Sequence, residues 1–196
     1  KQGPNVPCRY DHRSARRRAV CRPAGARRNL SAMRRVLGID PGLRITGYGL
    51  VEATDRAIHP RLVEAGVIRL DAKRSSEHRL AQLHDERRDL IVELSPTRLA
   101  VEKLYAHYKH PRTAIVMGHA RGVILLCAQQ HDLPVTHLPA TEVKKAMTGN
   151  GHASKRQMQL AVQGQYRLAE PPTPPDVADA IAIATTAARR IAIDAM

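Results

Sequence analysis

The sequence predicts an α/β domain with a mixed central sheet, in which three antiparallel strands are followed by parallel strands, and with helices flanking the sheet. Two features of the 196 residues predict this fold class. Strand-like segments follow one another between residues 36 and 70, and strand-like and helix-like segments then alternate along the rest of the chain. Strands that precede such an alternation are typical of a mixed sheet covered by helices.

The first predicted strand is an apolar run at residues 36–39. It contains no charge, which is typical of a strand buried on both faces, and Pro41 and Gly42 stop it. Asp40 therefore lies at the carboxyl end of the strand. A carboxylate buried there would need a cation, a metal or several hydrogen bonds. Taken alone, Asp40 and the two residues after it favour a simpler interpretation, a turn in which Asp40 bonds to its own backbone.

Two more strands, at residues 45–52 and 64–70, complete a predicted antiparallel meander. Gly47 and Gly49 are small enough to let another element approach the sheet closely. A long amphipathic helix follows, and we expect Ser76 to cap it.

The next predicted strand, at residues 98–104, is apolar except for its charged residues Arg98, Glu102 and Lys103. Because side chains alternate across a strand, Glu102 shares a face with Ala100 and Leu104. An ordinary surface strand explains this acid poorly. An edge-strand charge, an ion pair with Lys103 and a functional carboxylate all stay open as interpretations of Glu102.

A second long helix is predicted from residue 111 or 112 to residue 130. Within it, Gly118, Ala120 and Gly122 predict a narrow face on which another element or a second subunit could pack. A short strand at residues 134–137 follows.

The last part of the chain contains three predicted helices. A helix at residues 141–147 leads through a glycine-rich loop at 149–151 into a helix at 154–163. The prolines at 171–175 forbid a helix, and the final helix opens directly after them, at residues 176–193. This final helix is apolar on all sides, which predicts that it is buried against the sheet.

Two acids open the final helix. Asp176 and Asp179 are three residues apart and so share one face of its first turn. Acids at a helix start are also favoured by capping and by the helix dipole, and for the pair alone this is the simpler interpretation. Because the buried helix holds its first turn near strand ends, we expect both acids to converge with Asp40 and Glu102.

Four carboxylates without matching buried cations repel one another, and hard divalent cations are the usual remedy. Two Mg²⁺ ions about 3.5–4 Å apart serve in-line attack on phosphodiesters. The sequence contains no cysteine pair or His-x-x-x-His spacing of a structural zinc site, no phosphate-binding loop of the Gly-x-x-x-x-Gly-Lys type and no Gly-x-Ser-x-Gly elbow. A metal-dependent nuclease site therefore fits these carboxylates best.

The net charge of +14 is unevenly distributed. Residues 1–32 hold nine basic residues and one acid, whereas the rest of the chain is only moderately basic. We expect residues 1–32 to be a basic disordered extension outside the native domain, with Met33 as the natural start, and residues 33–196 to form the nuclease domain. A basic arm that binds nucleic acid is the alternative, and mass spectrometry of the native protein distinguishes the two.

Cysteine use and hydropathy predict a cytoplasmic protein without a membrane segment. Of the three cysteines, only Cys127 lies in the predicted domain, so a disulfide framework within it is excluded. Apolar runs are shorter than a transmembrane helix requires.

Several motifs occur in a fixed order along the chain. They are Gly38-Ile39-Asp40-Pro41-Gly42 with Arg44, Thr46-Gly47-Tyr48-Gly49, Ala100-Val101-Glu102, Gly118-His119-Ala120-Arg121-Gly122 and Asp176-x-x-Asp179-Ala180-Ile181-Ala182. This set resembles the RuvC family of Holliday-junction resolvases over residues 33–196. The resemblance implies an RNase H-like fold, a homodimer and Mg²⁺-dependent paired symmetric nicks across a four-way DNA junction, with Mn²⁺ as a substitute metal. It also implies a branch-migration helicase complex of the RuvA and RuvB type as a partner.

The resemblance also assigns roles to single residues. The family's four metal-binding carboxylates match Asp40, Glu102, Asp176 and Asp179. Its two basic residues near the scissile phosphate match Lys144 and Lys155, for which solvated surface lysines are the simpler interpretation. Tyr105 stands where the family commonly has a Phe that stacks on junction bases, and Tyr keeps a stacking face. Lys103 departs from the more usual Gln.

Three other functions stay open at this point. An RNase H-like nuclease that processes structured RNA, such as precursor ribosomal RNA, could share the opening motif. An actin-like ATPase also opens with a similar motif, but that fold needs a second half for which this chain is too short. A DNA-binding protein without catalysis would explain the basic charge but not the four carboxylates.

Overall fold

A seven-stranded mixed sheet forms the centre of the molecule. The computed structural model describes residues 9–11, 17–20, 33–54, 59–104 and 111–194. The strands follow the order β1-β2-β5-β4-β3-β6-β7 across the sheet. Their bounds are β1 Arg9–Asp11, β2 Arg17–Val20, β3 Met33–Asp40, β4 Ile45–Thr54, β5 Arg61–Arg69, β6 Arg98–Glu102 and β7 Val135–Leu138.

The strand pairing confirms the predicted mixed sheet. Strands β3, β4 and β5 form the antiparallel meander, and β6 and β7 add to β3 in parallel. Connections between parallel strands must cross over one face of the sheet, which is why helices separate β5, β6 and β7 along the chain. The fold is the RNase H-like α/β arrangement that the resemblance implies.

Within the part of the chain that the structure describes, five helices cover the two faces of the sheet. They are α1 Ser76–Leu94, α2 Pro111–Gln130, α3 Ala140–Thr148, α4 Lys155–Tyr166 and α5 Pro175–Asp194. Leu90 of α1 and Ile124 of α2 pack with Leu37 and Leu50 on one face. On the other face, α5 packs together with α3 and α4, and nearly all of its first four turns is buried, as its apolar sequence predicts. Its burial anchors the first turn of α5 against the strands.

The start of α1 differs from the prediction by one residue. Ser75, not Ser76, is the N-cap, and its Oγ accepts a hydrogen bond from the His78 backbone N–H. Adjacent serines carry the same capping chemistry, so the sequence could not separate them. The helix ends at Leu94 with Ser95 in the left-handed region.

Glycines in the meander allow α5 to lie directly on the sheet. A Cβ atom at Gly47 would come within 2.0 Å of the Asp176 carbonyl oxygen, and one at Gly38 within 2.3 Å of the Ala180 carbonyl oxygen. At Gly49 the nearest atoms belong to Ile181, at 3.0 Å. The close approach predicted from Gly47 and Gly49 is therefore made by α5.

The prediction that Ala120 shares a narrow face of α2 with Gly118 and Gly122 is wrong. Ala120 is fully buried and packs with Leu83 of α1, whereas added Cβ atoms at Gly118 and Gly122 would meet nothing within 4 Å. Residues two apart on a helix point in nearly opposite directions, so Ala120 cannot share a face with its two glycine neighbours. The two glycines lie on the exposed side of α2.

Residues 9–11 and 17–20 of the basic N-terminal segment form β1 and β2, which pair with each other and extend the sheet from β5. The other residues of the predicted disordered extension lie outside the described part of the chain, and the domain boundary after residue 32 stays a prediction. Among the helices that the structure describes, none is long and apolar enough to cross a lipid bilayer.

Candidate active site

The four carboxylates singled out in the sequence line one cleft. Asp40, Glu102, Asp176 and Asp179 surround a space of about 300 Å³. Lys144 and Lys155 line the same cleft, and the apolar side chains of Met117, Val143, Met158 and Ile183 complete its walls. Residues that are up to 139 positions apart in the sequence therefore meet at one place.

The register of two parallel strands brings Asp40 and Glu102 together. The β3–β6 ladder pairs Ile39 with Val101, so the next residue of each strand, Asp40 and Glu102, lies at the same edge of the sheet. After Asp40 the chain turns, and the buried Thr46 hydroxyl bonds both the backbone N–H and the C=O of Gly42. The turn that the sequence predicts after Asp40 thus holds the strand end open toward the cleft.

The first turn of α5 supplies the other two carboxylates. The Val177 backbone N–H donates to the Pro174 carbonyl at 3.0 Å, which closes the helix start. Because Gly47 lies directly beneath the Asp176 backbone, this turn rests on the strand that pairs with Asp40. Asp176 and Asp179 then project from one side of the helix, as their spacing predicts.

The other three carboxylates of the cleft affect the pKa of Asp40. Burial raises the pKa of Asp40 well above its usual value, and the charges of Asp179, Glu102 and Asp176 raise it further, in that order. Lys155 acts in the opposite direction. Ionised carboxylates that are partly withdrawn from water and close to one another are unfavourable, so this cleft favours an added positive charge.

Both lysines act on Asp179, and each also acts on one further carboxylate, Lys144 on Glu102 and Lys155 on Asp40. Burial and then Asp179 raise the pKa of Glu102, while Lys144 lowers it. For Asp179, burial raises the pKa most, and Asp176 adds to this, whereas Lys155 and Lys144 oppose it. The net direction is upward for both carboxylates. The lysines therefore compensate the negative charge of the cleft only in part.

A helix–loop–helix segment positions the two lysines. Lys144 lies in α3 and is partly buried, and Lys155 is the first residue of α4 and is exposed. Between the helices, Gly149 adopts a φ of 78°, and Ser154 and Gln157 form a reciprocal capping box at the start of α4. The left-handed region favours glycine, and the capping box fixes the entry into α4.

The donor set of the cleft suits a hard divalent cation, since all four acidic groups offer carboxylate oxygens. Within the described residues, no three His, Cys, Asp or Glu side chains are grouped tightly enough to form a ready-made ion site. The four carboxylates nevertheless line one cleft, and the raised pKa values of Asp40, Glu102 and Asp179 favour an added cation there. The residues fit the metal that the resemblance implies.

The structure adds one residue to the surroundings of Glu102. The Arg121 Nε donates to the Glu102 backbone carbonyl at 3.1 Å, and Nη2 of Arg121 lies 2.7 Å from Nδ1 of His137. Arg121 belongs to a motif of the family, but spacing alone does not show that α2 passes behind the end of β6. Tyr105 lies outside the described residues, so its predicted role stays a prediction.

Comparison with known proteins identifies the family. The model of the RuvC family, described as crossover junction endodeoxyribonuclease RuvC, matches residues 36–187. Crossover junction endodeoxyribonucleases from Rhodopirellula baltica and Gloeobacter violaceus are 47% and 43% identical over 76% and 78% of this chain, and 82% and 86% of their own lengths. The structure of T. thermophilus RuvC in complex with a Holliday junction substrate is 31% identical, with a TM-score of 0.74, over 84% of this chain and 97% of the other. The chain belongs to the RuvC family of crossover junction endodeoxyribonucleases.

Proposed function

We propose that this protein resolves four-way Holliday junctions in DNA recombination and repair by paired, symmetric hydrolysis of phosphodiester bonds. The observation that carries the proposal is the meeting of Asp40, Glu102, Asp176 and Asp179 in one cleft with Lys144 and Lys155. Three separate elements supply the carboxylates in a chain that belongs to the RuvC family. An endonuclease of this kind is a hydrolase that acts on DNA.

We assign the four carboxylates as ligands of two Mg²⁺ ions, with Mn²⁺ as a substitute. Metals of this class, when bound, activate water and stabilise the leaving oxygen of the phosphodiester. The metal dependence itself belongs to the family. The all-oxygen donor set supports the choice of Mg²⁺, and the upward pKa shifts of Asp40, Glu102 and Asp179 support an added positive charge in the cleft.

The residues of this chain bind and orient the DNA strand around that site. Lys144 and Lys155 carry positive charge at the rim of the cleft, where they attract the scissile phosphate and stabilise charge that develops on it. The apolar side chains of Met117 and Met158 limit water in the cleft. We propose that Tyr105 stacks on a junction base, and Tyr105→Ala tests this through the ratio of cutting rate to binding affinity.

A three-substrate assay tests the proposed function. The protein is incubated with Mg²⁺ and, separately, with a labelled four-way junction, a linear DNA duplex of the same sequence and a structured RNA. We expect paired nicks in the four-way junction. We expect no cleavage of the linear duplex or of the RNA. Preferred cleavage of the RNA would instead support the alternative of an RNA-processing nuclease.

Paired nicks require two active sites, and we propose that a homodimer supplies them through the exposed side of α2. The helix presents Ile115, Gly118, Gly122 and Leu126 along one stripe. Ile115 and Leu126 are 58% and 53% exposed, and the two glycines leave space for close approach. Because large apolar side chains and a glycine groove continue over three turns of the helix, a second copy of this face fits the stripe.

Leu126→Glu is therefore expected to convert the dimer into a monomer, because it places a charge in the apolar stripe. Analytical ultracentrifugation measures the change in mass. Leu160→Glu is the matched control, since Leu160 is also exposed, at 46%, but lies on α4. A Leu126→Glu protein that sediments as wild type would exclude this face as the dimer interface.

The remaining partners follow from the family alone. We propose that a branch-migration helicase complex of the RuvA and RuvB type binds the same junction, and that both act in the cytoplasm. Co-purification of the three proteins on an immobilised four-way junction tests this assembly.

A further inference from the structure

A second cleft, of about 570 Å³, lies along the exposed edge of the sheet. We call it the edge cleft. Its polar lining consists of Arg34, Arg98, Lys103, Thr136, His137, Arg190 and Asp194. These residues come from β3, β6, β7, the residue after β6 and the last turns of α5, so the fold alone assembles them.

The edge cleft is strongly positive. Four of its side chains are cationic and one, Asp194, is a carboxylate. Neither Arg98 nor Lys103 forms an ion pair with another residue that the structure describes. Arg190 lies 3.5 Å from Glu142, but both side chains are more than 40% exposed, and such pairs are weak. Arg98, Lys103 and Arg190 are therefore available to an anionic ligand.

The pKa of His137 is affected by nearby positive charges. Burial lowers its pKa most, and the charges of Arg121 and Lys103 lower it further. A positive charge on His137 is thus unfavourable at this end of the cleft, which is consistent with the cations beside it.

One end of the edge cleft lies next to an active-site residue. Lys103 directly follows Glu102, and the cleft then runs along β7 toward Arg98 and Arg190. From Asp179 to Arg190 the helix α5 rises by about 17 Å at about 1.5 Å per residue. The phosphates of one DNA strand are about 3.4 Å apart along the duplex axis, so this length corresponds to about five phosphates.

We propose that the edge cleft binds the phosphate backbone of a duplex arm, about five phosphates from the bond that is cut. The inference rests on the proposed function, which makes DNA the substrate. Arginine forks match phosphate oxygens well, and three of the four cations are arginines. An acidic protein segment is the competing ligand, but the position of Lys103 directly after the active-site residue Glu102 favours the substrate itself.

The test combines a protein variant with a modified DNA. Arg98→Gln/Arg190→Gln removes two cations from the edge cleft and leaves the six residues assigned to the active site in place. Neutral methylphosphonate linkages replace the phosphates four to seven positions from the cut site, on the 3′ side in one junction and on the 5′ side in another. Fluorescence anisotropy over a range of salt concentrations measures binding without divalent metal, and single-turnover cutting with Mg²⁺ measures activity.

We expect the double variant to bind the unmodified junction about tenfold more weakly at low salt and to reduce the salt slope by about 2, because two phosphate contacts are lost. The double variant and one of the two modified junctions should each lose the same contacts. The two changes together should therefore weaken binding no more than either change alone. The cutting rate of the bound complex should stay unchanged. Arg88→Gln is the matched control, because Arg88 is a half-exposed arginine on α1, paired with Asp85 and Asp89.

Additive effects of variant and neutral linkages would overturn the proposal, as would an unchanged affinity. Binding of a polyglutamate peptide to the wild type but not to the double variant, with junction affinity unchanged, would overturn it in favour of an acidic protein ligand. Failure of the proposed function is seen separately, since the wild-type protein would then not prefer the four-way junction to linear duplex.

Discussion

Asp40→Asn is expected to reduce metal-dependent cutting of a four-way junction by roughly 10³-fold or more, the scale on which enzymes lose a stabilising group at the reacting centre. Asp40 is the carboxylate on which burial and the other three acids act together. The substitution keeps the shape of the side chain but removes the charge that would hold a cation. Single-turnover cutting of a labelled junction in Mg²⁺ measures the loss.

The same variant should bind the junction at least as tightly as wild type, because one negative charge that repels phosphates is gone. It should also melt at a higher temperature without metal. A carboxyl group whose pKa is raised in the folded state destabilises that state once pH exceeds its unfolded pKa, and Asn removes this effect at neutral pH. Stabilisation by added Mg²⁺ should be weaker than in wild type, since fewer ligands remain.

Asp89→Asn is the matched control, as the same chemical change at an exposed site on α1. Its cutting rate and its response to Mg²⁺ should equal those of wild type. Full activity of Asp40→Asn would remove Asp40 from the metal site and, with it, the proposed arrangement of the four carboxylates.

Gly47→Ala is expected to have the second-largest effect, although it adds only a methyl group and no charge. The new Cβ would lie 2.0 Å from the Asp176 carbonyl oxygen, so either β4 or the first turn of α5 must move. Over-packing of this kind destabilises a protein by about 1–3 kcal/mol. Displacement of Asp176 and Asp179 by about 1 Å would reduce cutting by about 100-fold.

Two measurements separate stability from activity in this variant. Urea unfolding gives the loss in free energy of unfolding, and cutting is measured well below the unfolding transition. Gly164→Ala is the matched control: its Cβ would meet nothing within 4 Å, and alanine favours the helix α4 by up to about 1 kcal/mol. Wild-type cutting by a folded Gly47→Ala protein would show that the position of the first α5 turn is not critical.

Much of the fold follows from local patterns in the chain. The uncharged run before Asp40, the alternation around Glu102 and the apolar final helix each predict an element that the structure contains. The spacing of apolar residues indicates both the buried face and the element type, and it does so best in long segments. Local chemistry was less informative for boundaries, since Ser75 and Ser76 are equally good helix caps.

The carboxylates themselves could be singled out from the sequence, but each had an ordinary alternative. Asp40 fits a turn, and Asp176 and Asp179 fit a helix start. The local geometry of both alternatives is present in the structure: the chain bends after Asp40, and the two acids lie in the first turn of α5. The functional interpretation differs only in what surrounds these groups.

Those surroundings depend on contacts between residues far apart in the chain. The β3–β6 register sets Glu102 beside Asp40, and the absence of a side chain at Gly47 lets α5 bring Asp176 onto the same edge. The raised pKa of Asp40 arises from that convergence and from burial, neither of which exists in an isolated segment. The same holds for the edge cleft, whose arginines are ordinary surface cations in the sequence. The local sequence thus determines the type of each element. The chemistry of both clefts arises only when the sheet register and the packing of α5 bring distant charges together.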